Sequence, residues 1–269
     1  MSMNSVNTNR QALFALQSLN QSNGELASVQ KRVSTGLRVA DARDDGGAFA
    51  VASAVRSDIA GVTAVNEQLG GIKGVLQTTF AALTQVTDTM KQVRQVLTRL
   101  ADGAISTEQR TQYEAQYNSL ASQITDFIAD ANYNGTTLLG GTDIESIRNE
   151  SGDNFTITAE TAADLQIGAA APSGATAANT YLTGDFVTVE TAVSSALNKF
   201  GTSMQYVDNQ ITYNSKKNDA LTDGLGALVD ADLAKESANL QSLQTRQQLG
   251  IQTLSLANQG PQVLLSLFR

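Results

Sequence analysis

Residues 229–257 read "VDADLAKESANLQSLQTRQQLGIQTLSLA". Val229, Leu233, Glu236, Leu240, Leu243, Gln247, Gly250, Leu254 and Ala257 recur there at alternating spacings of four and three. That rhythm lines them along one seam of an amphipathic helix, as in a coiled coil. The other end of the chain keeps the same beat through Ala12, Leu16, Leu19, Asn23, Leu26, Gln30, Val33 and Leu37. Each seam carries polar residues, which weaken a coiled coil while fixing its register. The simplest reading pairs the two ends with each other.

Beyond the seam the chain ends on "GPQVLLSLFR". Leu249, Ile251, Leu254, Leu256, Val263, Leu264, Leu265, Leu267 and Phe268 make this end strongly apolar. Burying nine such side chains contributes roughly 15–25 kcal/mol by transfer values. A whole domain has a net stability of only ~5–15 kcal/mol. Something is therefore expected to cover this end.

Composition narrows the function. The 269 residues contain neither His nor Cys, so no disulfide, His base, Cys nucleophile or Cys/His zinc site can form. No G-x-S-x-G occurs, and "DARDD" at 41–45 is the one tight acidic group. Together these point away from an enzyme and from any cofactor or metal. A formal charge of -8 with no basic cluster points away from nucleic acid. Aromatic residues make up 5% and Trp is absent, so Ala, Val, Leu and Ile must fill the core, which suits long helices.

"MSMNSVNTNRQALFALQSLN" lacks the basic and apolar regions of a signal peptide. No uninterrupted apolar stretch reaches the ~18 residues of a membrane span, since "GAFAVASAV" stops at Arg56. The expectation is a chain that enters no membrane and, if it leaves the cell, uses a route that reads no cleavable signal. The N-x-S/T triplets at Asn20, Asn134, Asn149 and Asn154 are then weak glycosylation signals.

The first helix is expected from Asn7. "TGLRVADARDDGG" at 35–47 reads as a turn, with Gly36, Gly46 and Gly47 as breakers and Asp44 or Asp45 as helix caps. Helical periodicity predicts helices over about 48–101, from Thr107 to about Ala131, and from about Val187 to Leu221. Gly224 and Gly226 are read as separating the last of these from the terminal helix. Asn134-Gly135 is a strong turn signal. "IESIR" and "NFTIT" flank residues 149–153 as a β-hairpin. "IGAAAPSGATAANT" at 167–180 reads as a small-residue loop whose shortening should be tolerated.

The predicted fold is mainly α, a long antiparallel helical hairpin rod with a terminal coiled coil and a small β-hairpin and loop insert. The expected division is 1–42 with 230–269 as an inner coiled coil, 43–140 with 187–229 as a helical rod, and 141–186 as the insert. Candidate packing residues are Leu13, Leu16, Leu19, Leu26, Val33, Leu37, Leu240, Leu243, Leu254, Leu264, Leu265, Leu267 and Phe268. Asp41, Arg43, Asp44, Asp45 and Gly46 form the candidate connector turn, read either as solvated caps or as a contact to a neighbouring copy.

"NTNRQALFALQSLN", "RVSTGLRVADARDDGGAFAVASAVRSDIAGV" and "NYNGTTLL" resemble the N-terminal region of bacterial flagellins. "DADLAKESANLQSLQTRQQLGIQTLSLANQGPQVLLSLFR" resembles their C-terminal region. The likeness covers roughly residues 4–140 and 187–269, and departs in a middle of under fifty residues where many flagellins carry large outer domains. It implies a structural subunit that polymerises into the extracellular flagellar filament for motility. Implied partners are other flagellin copies, hook-associated junction and cap proteins, an export chaperone and the flagellar type III export apparatus. The absence of Cys suits an unfolded chain in a narrow channel. The resemblance also implies that the terminal helices are disordered in the monomer and form an inner coiled coil on assembly. Neighbouring copies would then cover the apolar C-terminus. In receptor-activating relatives one rod surface engages an innate-immune receptor; here Arg94 is kept, but Gln92, Val96 and Gln116 break that pattern. Two alternatives stand beside the filament subunit: a hook–filament junction protein and an enzyme displayed on the filament.

Overall fold

The computed structural model describes residues 9–266, with side chains for residues 9–259. The fold is mainly α, with seven helices and one two-stranded antiparallel sheet among the described residues. The chain divides into unit 1, Met1–Ser57 with Ala220–Arg269, and unit 2, Asp58–Asp219. Helices α2 (Gly46–Leu100) and α6 (Asp185–Val229) supply residues to both.

In unit 1, α1 (Arg10–Thr35) pairs with α7 (Leu233–Ser266). Asn9 starts α1 as its cap, its side chain accepting from Ala12 N–H at 3.1 Å. Gly36 ends it at φ 72, a left-handed conformation that glycine adopts without a Cβ penalty. Contacts run in opposite senses along the pair. Asn9 Nδ2 donates to the Ala257 carbonyl, Asn23 accepts from Gln247, and Arg32 meets Glu236. The helices are therefore antiparallel. Leu26, Val29 and Leu243 are buried between them, with Val33 and Leu240 alongside.

Unit 2 holds the main core. Helix α2 lies antiparallel to α6, since Lys73 pairs with Asp208 while Arg94 pairs with Glu190. It is also antiparallel to α3 (Thr107–Ala129): Arg110 caps the Leu100 carbonyl at 2.8 Å, and Tyr133 beyond the end of α3 reaches back to Gly74. A capping box between Ser106 and Gln109 starts α3. Leu69, Leu76, Leu83, Leu97, Tyr117, Ile124, Phe186 and Phe200 are fully buried there. The strands β1 (Ile144–Ile147) and β2 (Asn154–Ile157) pair Ile144 with Ile157, and Ile157 enters the core. Short helices α4 (Ala162–Leu165) and α5 (Ala175–Thr183) complete the unit.

Several expectations change. Gly46 and Gly47 do not break the chain but open α2, because Asp45 Oδ1 accepts from Ala48 N–H at 3.0 Å and caps the helix there. Gly224 and Gly226 do not end α6. A helical glycine costs about 1 kcal/mol relative to Ala, and Leu225, Leu228 and Val229 recover more by packing against Val39, Ala52 and Phe49. Residues 175–180 belong to α5 and not to a loop; Ala178 is fully buried and the Ala-rich run has high helix propensity. Deleting 169–180 would therefore remove packed structure. By length and composition α2 also passes as a membrane span, with an 18-residue window of mean hydropathy 1.3, of which 17% is buried. Arg56 and Asp58 stand among its apolar residues, and from Val65 onward it lines the unit 2 core.

Candidate assembly surface

The seam of unit 1 follows the sequence only in part. On α7, Glu236, Leu240, Leu243, Gln247, Gly250, Leu254 and Ala257 are the less exposed positions, while Leu233 is 50% exposed. On α1 the buried side is Ser22, Leu26 and Val29, whereas Gln30 is exposed, Asn23 sits at the edge where it accepts from Gln247, and Leu16 is 43% exposed. Ala12, Ala15, Leu19, Ser22, Leu26, Val29 and Val33 are among the less exposed positions of α1. Its inner side therefore keeps a three-and-four rhythm in a different phase, with Ala15, Ser22 and Val29 in place of Leu16, Asn23 and Gln30. Leu19 remains, packed where a Cβ at Gly250 would stand 3.2 Å away. Gly250 thus permits the close approach of the two helices.

The outer sides carry the apolar excess. Leu13, Phe14, Leu16, Leu249, Ile251 and Leu256 are all between 43% and 71% exposed. Phe14 escaped the sequence reading because it sits off the seam; its signal was a large aromatic beside Leu13 on a helix whose opposite side was already assigned. Covering what these six still expose contributes roughly 5–10 kcal/mol at side-chain transfer values. The expected packing of Leu264, Leu265, Leu267 and Phe268 falls on side chains outside the described ones.

The connector turn is built from polar side chains serving the backbone. Lys31 Nζ reaches Asp41 and Asp44 at 2.8 Å each. Asp44 also accepts from the Ala40 and Asp41 N–H groups. These bonds, Lys31 first, lower its pKa to about 2. The Lys31 ammonium and the Arg43 N–H hold Asp41 below the usual carboxylate range, and Lys31 is raised in turn. Arg43 contributes its N–H to Asp41 at 2.8 Å, with its side chain exposed. Leu37 bridges Asp230, and Arg38 N–H donates to the Val229 carbonyl at 2.7 Å. The returning chain is thereby stitched to the outgoing one beneath the turn, a pairing that only the fold reveals.

In unit 2, Arg94 bonds Glu190 and lies over the Phe186 ring at 5.2 Å, and Val96 is buried. Glu150 is held below the usual carboxylate range by Lys217, which ties the hairpin end to α6. Tyr117 donates to the Gly168 carbonyl at 2.9 Å, and its burial pushes the phenol up. Among the described residues no group of three or more Asp or Glu could hold a metal.

A mainly α chain whose terminal helices pair and keep large apolar side chains on the outside belongs to the class of self-associating helical subunits. Residues 6–143 match the bacterial flagellin N-terminal helical region, and residues 187–268 match the C-terminal helical region. Flagellin FljM of Caulobacter vibrioides is 39% identical, with 100% of both chains covered. A flagellin of Brucella melitensis biotype 1 is 36% identical over 99% of this chain and 100% of its own. A Vibrio parahaemolyticus structure described as flagellar hook-associated shares the fold at a TM-score of 0.60 and 15% identity, covering 70% of this chain and 100% of that one. The chain belongs to the bacterial flagellin family. Its function is that of a structural subunit that polymerises into the flagellar filament.

Proposed function

We propose that the outer sides of α1 and α7, together with the C-terminal strip, are the surfaces by which copies of this chain pack in the filament. The observation that carries this is the row of exposed Leu13, Phe14, Leu16, Leu249, Ile251 and Leu256 on helices whose inner sides already satisfy each other. Large apolar patches of this kind mark interaction sites. Leu19, Leu26, Val33, Leu240, Leu243 and Leu254 then act one step earlier, by holding the helix pair that presents the patch, while Leu37, beyond the end of α1, packs with Val39, Ala52 and Val229 at the connector. Asp41, Arg43, Asp44, Asp45 and Gly46 shape the connector, and the exposed Arg43 is its contact to a neighbour. The inner coiled coil is 1–42 with 230–269, the helical rod is 43–140 with 187–229, and 141–186 is the outward insert.

In this reading the chain is exported unfolded by the flagellar type III route, guarded by a chaperone, and added beneath a cap to a filament that begins at hook-associated junction proteins. It catalyses nothing, enters no membrane and binds no nucleic acid. The lack of His and Cys supports the first point, Arg56 and Asp58 among the apolar residues of α2 the second, and the net charge of -8 the third. Before assembly α1 and α7 lack their outer cover, so residues up to about 40 and beyond about 230 are cut first by protease.

Truncation after Gln262 tests the reading. The expected result is a chain with unchanged unit 2 melting that no longer sediments after seeding. Long filaments from the truncated chain would reject the intersubunit role of the strip. Failure of unit 2 to fold would return the strip to an ordinary core. A short collar in place of long filaments from the intact chain would favour the junction role.

A further inference from the structure

The chain has two Asn-Gly dipeptides, and the structure explains only one of them. Asn134-Gly135 forms a tight turn with φ of 51 and 82, closed by Tyr133 and Thr136 exchanging backbone bonds at 2.9 and 3.0 Å. Two consecutive positive φ values call for this pair. Asn23-Gly24 instead lies in the interior of α1. A Cβ built on Gly24 meets nothing within 4 Å, so no close approach in this structure requires the glycine. It nevertheless weakens the helix by about 1 kcal/mol relative to Ala. Asn23 is exposed, and its side-chain oxygen accepts from Gln247 of α7 at 2.8 Å.

Asn-Gly is the dipeptide most open to self-modification, because glycine leaves the following nitrogen unshielded. The Gly24 nitrogen bonds to Asn23 Cγ, its proton passes to water, and the side-chain nitrogen takes up a proton and leaves as ammonia. Water then opens the cyclic imide at one carbonyl or the other, giving aspartate or isoaspartate. No oxidant or reductant is involved. The ring closes only from an aligned, close geometry. In α1 the Gly24 N–H is committed to the Asn20 carbonyl four residues back, and helical dihedrals hold the nitrogen out of line. The Gln247 bond further restrains the carboxamide. In the turn, Gly135 N–H is likewise occupied, by Asn132 Oδ1 at 2.7 Å.

We propose that Asn23-Gly24 is a self-modification site that the formation of α1 on α7 switches off, so that it records how long a chain has waited unassembled. The link to waiting rests on the reading that the terminal helices form fully only in the filament. The Asn134 turn lies in unit 2 and is protected whenever that unit is folded. Isoaspartate at position 23 would route the backbone through one extra carbon in mid-helix. That shifts α1 out of register with α7, and such chains would be excluded from the filament.

The test incubates the full chain in three states, unfolded in urea, free, and polymerised, and follows both peptides by mass spectrometry and isoaspartyl methyltransferase labelling. Limited proteolysis of the same samples reports whether α1 is formed. Loss of Asn23 should track α1 cleavage, fastest in urea and at least about tenfold slower where α1 resists protease. A tenfold factor corresponds to only about 1.4 kcal/mol of opening free energy. Asn134 should be slowed in every sample with folded unit 2. Gly24→Ala should slow loss of Asn23 while filaments still form, and Asn23→Gln should abolish the signal at that site. Urea-like loss of Asn23 in a sample whose α1 resists protease would overturn the proposal, as would isoaspartyl chains entering filaments in proportion to their abundance. If no filaments form, the assembly reading fails separately, and the comparison of urea with the free chain still decides whether α1 controls the reaction.

Discussion

Phe200, Leu97 and Tyr117 in unit 2 are fully buried, whereas Phe14 and Leu256 in unit 1 each keep 71% of their surface exposed. Both units are built from long antiparallel helices of similar composition, so propensity does not separate them. Enclosure does. Helix α2 in unit 2 is covered by α3, α6, the hairpin and the short helices, and its buried side chains form one continuous cluster. Among the described residues, the buried cluster of α1 and α7 is formed by these two helices alone, and a two-helix pair can bury only one side of each member. The same kind of sequence makes a finished core in one unit and an unfinished one in the other.

The largest expected effect lies in the finished core. Phe200→Ala should destabilise unit 2 by about 3–5 kcal/mol, the range for removing a fully buried aromatic. Thermal unfolding measures it, and a loss below about 1 kcal/mol would break the claim that this core is closed.

Gly74→Ala should cost less. A Cβ there would stand 2.8 Å from the Tyr133 ring, which is itself 44% exposed and can give way. About 1 kcal/mol is expected from such a limited overpacking. The cost should vanish in a Tyr133→Ala background, and a cost that persisted would show that the helix backbone itself was strained.

The connector of unit 1 should respond to pH in a defined window. The folded-state pKa of Asp44 is lowered to about 2, so its contribution is present above the unfolded carboxylate value of ~3.9 and is lost as pH falls through about 2. Lys31 is raised, so its contribution is present below its unfolded value of ~10.4 and is lost as pH rises beyond its folded value. Proteolysis at the turn should be slowest between these limits. Asp44→Asn should weaken the acid limb, leaving the part that Asp41 supplies, and leave unit 2 melting unchanged.

The smallest effect should come from the unfinished side. Leu256→Ser should change the stability of the free chain by no more than about 0.5 kcal/mol, as for other exposed positions. The same variant should sediment poorly after seeding. A large loss in free-chain melting would mean that Leu256 is already covered, and the contrast between the units would fail.

Much of this architecture is legible in the order of the residues. The spacing of Glu236, Leu240, Leu243 and Leu254 specifies an amphipathic helix and its inner side, because helical periodicity is written locally. Asn134-Gly135 and the runs flanking residues 149–153 specify their turns for the same reason. Absence of His and Cys excludes whole classes of chemistry outright. What local pattern cannot decide is the outcome of competition. Gly224 and Gly226 look like breakers until Leu225 and Val229 find Val39 and Ala52. Residues 175–180 look like a loop until Ala178 is buried and they join α5. Leu16 keeps the rhythm read from the sequence but is 43% exposed, because the inner side runs through Ala15 and Ser22 in a different phase. The bond from Arg38 N–H to the Val229 carbonyl joins residues far apart in the chain, and no spacing rule encodes it. The sequence by itself determined the elements, the periodicity and the chemistry that is missing. Only the tertiary structure decided which apolar sides are closed and which are left open, because burial depends on how many neighbours the fold brings to each side of a helix.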